Sequence, residues 1–173
     1  NQLVLTGRLN DVGSPIRQNV KSSYRSGLEL IAQRHFENGL SINANITYSQ
    51  NIIKNDTEYV YNEAYDSATV FAYKSAPISF SPDIIFGSSI KYTTKNNFEA
   101  ELISKYVSKQ FLDNSGSNDR KLNAYFVNDI YLRYNVKQKF VDDLSITAVV
   151  YNVLREMYES NGATYAGMYN GVG

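Results

Sequence analysis

Glu99 and Glu101, in the stretch "NFEAEL", are the residues whose types and spacing come nearest to a reactive pair. On an extended strand they would stand about 7 Å apart, close enough for one carboxyl to act as acid and the other as nucleophile or base on a glycosidic bond. Lys105 and Lys109 continue the same alternate positions, so the plainer reading is a row of paired charges on a wet surface. His35 is the one imidazole; it stands in a polar register beside the turn Glu37, Asn38 and Gly39, with no nucleophile next to it in sequence, and reads as a solvated rim residue. "NGVG" and "SGSN" lack the strand, lysine and helix that a phosphate loop requires. The acids of "NDTE", Asn55 to Glu58, could offer oxygens to calcium, but their spacing does not fit a helix–loop–helix calcium site, which leaves a solvated acidic loop. With no Cys and a single His, disulfides, thiolate metal sites and histidine-rich metal sites are all excluded. No catalysis, no metal and no cofactor are therefore expected.

Binding is the better class. Fifteen Tyr and eight Phe accompany no Trp, and five of these aromatics, Tyr59, Tyr61, Tyr65, Phe71 and Tyr73, crowd into the connection from Asn55 to Asp83. Tyrosine offers an apolar face and a hydroxyl at low entropic cost, which suits a small-molecule or glycan ligand. The competing account is that such tyrosines merely rim a barrel. The 17 basic and 17 acidic side chains cancel, so no electrostatic case exists for nucleic acid.

These residues need elements to hold them, and the chain alternates in period two. Seven strands are expected: Gln2 to Leu9, Tyr24 to Phe36, Leu40 to Tyr48, Ile84 to Tyr92, Phe98 to Lys109, Leu122 to Val136 and Leu144 to Arg155. In each of the last six the even-numbered residues are the apolar set. Most run well beyond the usual 5 to 6 residues and reach the roughly 9 to 11 that a tilted strand needs to cross a bilayer. Connections alternate too. Those at Glu37–Gly39, Lys95–Asn97 and Lys137–Asp143 are short, whereas Asp11–Ser23, Asn55–Asp83, Asp113–Lys121 and everything from Glu156 onward are long. A membrane barrel sorts its loops in this way, with short turns at one end and long loops at the other. No run of about 18 apolar residues is present for a transmembrane helix, and the first ten residues do not resemble a signal peptide.

The wording of several segments adds a resemblance. "TAVVYNVLREMYESNG", Thr147 to Gly162, resembles the penultimate strand and following loop of TonB-dependent outer-membrane receptors, with Asn152, Val153 and Leu154 where that family has Asn-Leu-Phe and Tyr158 a few residues on. "LTGRLNDVGSPIRQNV" at Leu5 to Val20, "ISFSP" at Ile78 to Pro82, "SKYVSKQFLDN" at Ser104 to Asn114 and "AYFVND" at Ala124 to Asp129 are similar to the Bacteroidetes branch, in the same order. The resemblance implies a 22-stranded barrel, plugged by an N-terminal domain, that imports scarce nutrients with energy delivered through TonB. Residues 1–173 then correspond to the C-terminal part of that barrel, without the plug or the final strand.

The expectation is an all-β, up-and-down antiparallel meander of about seven long strands, part of a transmembrane β-barrel in the bacterial outer membrane. Its partners would be the remainder of the barrel and plug, TonB, outer-membrane lipid and a small-molecule or glycan ligand. Arg25, Glu29, Glu99, Glu101, Lys105, Asp129 and Arg133 should face the lumen, and Leu28, Leu30, Ile42, Ile46, Leu102, Ile130, Leu132, Ile146 and Val150 the lipid. Asn128 breaks the pattern as a polar residue in the lipid-facing register, and should lie near a membrane boundary or against another polar group. The alternative architecture is a soluble β-sandwich, carbohydrate-binding, in which the even-numbered face is a shared core.

Overall fold

The computed structural model describes residues 3–12, 14–62, 67–138 and 141–164, and these form strands and turns with no helix. In chain order the strands are β1 Leu3–Leu9, β2 Pro15–Asn19, β3 Ser23–His35, β4 Leu40–Tyr61, β5 Ala68–Pro77, β6 Ile84–Thr93, β7 Phe98–Val107, β8 Gln110–Phe111, β9 Lys121–Leu122, β10 Tyr125–Gln138 and β11 Val141–Val150. Six of them make one antiparallel wall in the order β3-β4-β6-β7-β10-β11.

Register ties the wall to the alternation. Leu30 lies opposite Ile46, Ile42 opposite Ile90, Ile90 opposite Leu102, Leu102 opposite Ile130, and Ile130 opposite Val150. Every pairing joins even to even, and directly opposed residues share a face, so one face of all six strands carries the even-numbered side chains. That face is apolar and uncovered: Leu28 is 62% exposed and Ile146 61%. Aromatics bound it. Phe36, Tyr92, Phe98 and Tyr134 lie near the short turns, while Phe86, Tyr106 and Phe126 form one cross-strand row towards the other end. From Phe98 to Tyr106 is eight positions along β7. That is about 27 Å along the strand, or roughly 20 Å of height at a tilt of 35 to 45°, near the apolar band of an outer-membrane barrel.

The short connections that join neighbouring wall strands fall at one end. The β3–β4 turn is closed by Gly39, whose N–H donates to the Phe36 carbonyl at 3.1 Å and whose carbonyl accepts from Thr93 N–H at 3.0 Å. Its φ of +90° and the Thr93 carbonyl packed against its Cα leave no place for a Cβ.

At the opposite end the chain is more ordered than the sequence implied. β4 runs to Tyr61 instead of stopping at Tyr48: its first half pairs with β6 and its second half with β5, making a hairpin from most of what reads as an open loop. The expected long connection from Asp11 to Ser23 contains β2, which pairs with β1 in a separate two-stranded sheet. β1 is thus not a wall strand. β8 and β9 pair with one another on either side of the expected loop Asp113–Lys121. β11 ends at Val150, short of Arg155, because Asn152 turns the chain with φ +49° and bonds the backbone of Glu156 through both ends of its amide. The buried apolar residues gather in this loop end and not on the wall: Ile53, Ala76 and Ile78 form one cluster with Val20 and Tyr73 against it.

Candidate functional site

The odd-numbered face of the wall carries all seven charged residues expected on one surface. Arg25 donates to Asn51 Oδ1 at 3.0 Å. Glu29 stands opposite Thr47, and Lys105 opposite Gly87 and Val127. Asp129 Oδ1 accepts from the Asn152 backbone N–H at 2.7 Å, which anchors the end of β11 to β10. Glu99 and Glu101 find cations across the sheet, not along the strand: Glu99 is opposite Arg133, and Glu101 is opposite Lys91 and accepts from Ser89 Oγ. With Tyr131 and Thr147 these four charged residues, two carboxylates and two cations, line a recess of about 120 Å³. Lys109 does not extend that row as expected. It lies beyond the end of β7, its ammonium 5.0 Å from the Phe111 ring centroid.

His35 has a neighbour that sequence distance concealed. Pairing of β3 with β4 sets His35 against Ser41, and Nδ1 and Oγ share a hydrogen bond of 2.9 Å while Nε2 meets Gln33 Nε2 at 2.7 Å. The group is exposed at the short-turn rim, and Gln33 offers a neutral amide where a serine–histidine nucleophile needs a carboxylate to hold the imidazolium.

At the loop end a polar network joins segments far apart in sequence. Arg120 Nη1 donates to Glu58 Oε1 at 3.1 Å and to Asp113 Oδ2 at 3.0 Å, and Tyr73 O–H donates to Glu58 Oε2 at 2.9 Å. All three ion-pair side chains are a fifth exposed or less. Glu58, expected to be solvated, is therefore fully engaged. Burial, then the hydrogen bond and charge of Glu58, push the Tyr73 phenol up to about 12. For Arg120, burial opposes the charge, but the bonds and charges of Asp113 and Glu58 outweigh it and raise its pKa. Segment 78–83 is pinned to the same unit: Ile78 N–H donates to the Asn51 carbonyl, Ser79 N–H to Asn114 Oδ1 and Phe80 N–H to the Phe111 carbonyl.

The five candidate ligand aromatics do not converge. Tyr59 is directly opposite Val70, and Tyr61 lies two positions on, so these two share one face of the β4–β5 hairpin. Glu58 is opposite Phe71 and Asp56 opposite Tyr73, which puts Phe71 and Tyr73 on the other face. Arg8 stacks over Tyr59 at 5.4 Å, and Tyr73 is committed to Glu58. Phe71 is exposed, and Tyr65 lies outside the described residues. Arg34 escaped the sequence reading: it sits in the even, apolar register opposite Ile42, with its guanidinium 5.6 Å from the Phe36 ring at the short-turn rim. A cation at the edge of an apolar band can reach water along its stem.

Asn128 resolves as expected. It accepts from Ser104 Oγ at 2.6 Å, in a row of small residues, Ala32, Ala44, Ser88 and Ser104, that lies beside the Phe86–Tyr106–Phe126 row. Its Nδ2 has no partner among the described residues.

A sandwich would need a second sheet over the even face, and among the described residues none covers it. Long strands, an uncovered apolar band edged by aromatics, a charged opposite face and sorted loops define the wall of a transmembrane β-barrel. The chain belongs to the TonB dependent receptor-like, beta-barrel family, whose model matches residues 1–153. That is a family of transporters in the outer membrane of Gram-negative bacteria, so the protein is an outer-membrane receptor barrel. Neither the curated proteins nor the solved structures offer a match to this chain.

Proposed function

We propose that this chain supplies wall and extracellular loops to a receptor of the Bacteroidetes type that takes up a scarce nutrient, a siderophore, vitamin or oligosaccharide, with energy delivered through TonB. The family match over residues 1–153 carries the reading. The division of even from odd positions across six strands, kept up to a bulge beside the β10–β11 turn, supports its physical detail. Leu28, Leu30, Ile42, Ile46, Leu102, Ile130, Leu132, Ile146 and Val150 then lie against lipid, where the backbone groups between neighbouring strands are paired within the sheet. Arg25, Glu29, Glu99, Glu101, Lys105, Asp129 and Arg133 face a wet lumen or the plug, where charges are hydrated or paired. β3 and β11 are the outer strands of the wall, and their open edges pair with the remainder of the barrel.

The loop end carries recognition. Phe71 is the exposed aromatic of the hairpin, and Tyr59, Tyr61 and Tyr73 accompany it there; ligand contact is assigned to these four together with Tyr65, which lies outside the described residues. The test is growth of cells lacking the receptor on single siderophores, vitamins and oligosaccharides. Growth should fail on one class and return with the wild-type gene, but not when TonB is inactivated. Growth that survives loss of TonB on the affected nutrient would contradict energised uptake, and unchanged uptake after replacing all five aromatics by Ser would remove them as ligand contacts.

A further inference from the structure

On the odd-numbered face, β4, β6 and β7 set Asn45, Gly87 and Lys105 in one cross-strand row: Asn45 is opposite Gly87, and Gly87 is opposite Lys105. Adjacent strands lie about 4.8 Å apart, so the backbones of Asn45 and Lys105 stand roughly 10 Å apart with Gly87, which has no side chain, between them. A Cβ there would stand 3.0 Å from Asn45 Oδ1, so the Asn45 amide leans over Gly87 and even a methyl group would push it aside. The row belongs to an open recess of about 440 Å³, within the range of small-molecule sites. Ile31 and Ile103 give it apolar ledges, and Asn43 stands beside Asn45 on the same face of β4.

The polar groups of this recess are unspent. Among the described residues the side chains of Asn43, Asn45 and Lys105 have no hydrogen bond or ion pair. Among the described residues of the lining Lys105 is also the only charged one. The nearest carboxylates on that face are occupied, Glu101 by Ser89 and Asp129 by the Asn152 N–H. Two free amides, one free cation and aliphatic ledges suit a ligand with hydroxyls on its edge, one negative charge and an apolar flat side.

We propose that this recess binds a small carboxylate-bearing polyol, an acidic sugar alone or as a unit of a larger glycan. Lys105 takes the carboxylate, Asn43 and Asn45 take hydroxyls, and the ring lies between Ile31 and Ile103 over the Asn45 amide, which the missing side chain of Gly87 lets settle low against the sheet. The assignment rests on the odd-numbered face lining a water-filled lumen.

Calorimetry on the full-length receptor, purified in detergent, with glucuronate and glucose as probes tests it. Glucuronate should bind at least tenfold more tightly than glucose, Lys105→Met should erase that preference, and Gly87→Trp should weaken glucuronate at least tenfold. Should the indole prevent folding, Gly87→Ala gives a smaller loss of the same sign. Equal binding of the two sugars, no measurable glucuronate binding, or unchanged affinity in the Lys105 and Gly87 variants overturns the site. This chain has no Cys, so Asn45→Cys and Ala44→Cys each place one thiol in it for a membrane-impermeant maleimide. Labelling at 45 and not at 44 without glucuronate binding removes the site and leaves the lumen assignment standing, whereas labelling at 44 alone removes both.

Discussion

Arg120 holds together residues that the chain keeps 62 positions apart, since its guanidinium bonds Glu58 on β4 as well as Asp113 in its own loop. Hydrogen bonds to charged groups contribute about 1.5 to 3 kcal/mol each when well shielded, and these are partly so. Arg120→Ala leaves two carboxylates facing one another, and β5 amides near Tyr73 should exchange about tenfold or more faster, as read by hydrogen exchange. Tyr73 sets a pH limit on the same unit. Its folded pKa of about 12 lies above the ordinary phenol value of 10.0. The stabilisation is therefore complete below pH 10 and disappears as pH rises through 12, when the phenolate faces Glu58. Alkaline titration should show protection of β5 falling over that window, and Tyr73→Phe should remove the pH dependence. Asn128 makes a third case, one of a polar group kept at a cost. Ser104→Ala alone strands its amide oxygen as well as its nitrogen and should destabilise by about 1 kcal/mol, whereas Ser104→Ala with Asn128→Leu should be neutral or stabilising in urea unfolding.

β4 shows where period-two reasoning holds and where it stops. From Leu40 to Tyr48 one face meets an apolar environment, the other a polar one, and the alternation of Ile42, Ala44 and Ile46 with Asn43, Asn45 and Thr47 reports it. Beyond Asn55, which turns with φ +54°, the hairpin with β5 has no continuous apolar face, so nothing forces alternation and "NDTEYVY" reads as loop. For the same reason β2 was hidden in a polar stretch. The wall, its register and the charged face were legible, whereas the Arg120 network, the His35–Ser41 contact and the recess at Gly87 depend on residues that only strand pairing brings together. Turn chemistry lay between these cases: "ENG" marks the β3–β4 turn, but the Thr93 carbonyl that makes Gly39 irreplaceable comes from β6. Gly39→Ala should cost at least about 1 to 2 kcal/mol from its left-handed φ alone, seen as a lower thermal midpoint in detergent, and the collision with Thr93 should reduce folded yield further.

At the scale of the molecule, the wall and the loop unit divide the work of stability. The buried apolar cluster of Ile53, Ala76 and Ile78 lies with the loops, while the wall exposes its aliphatic residues and is held by its ladders and by the medium it sits in. An outer-membrane barrel is built in this way, and the family assignment agrees with it. The central claim is that the even-numbered face meets lipid and the odd-numbered face meets water. β10 offers the sharpest comparison, because Ile130 lies midway between Phe126 and Tyr134 on the even face and its neighbour Tyr131 points to the odd one. Arg should be introduced at each position in turn and the unfolding free energy measured with the receptor in lipid vesicles. The account predicts a loss of about 2 to 4 kcal/mol for Ile130→Arg and under about 1 kcal/mol for Tyr131→Arg. Equal tolerance at the two positions, or a larger loss at 131, would contradict it.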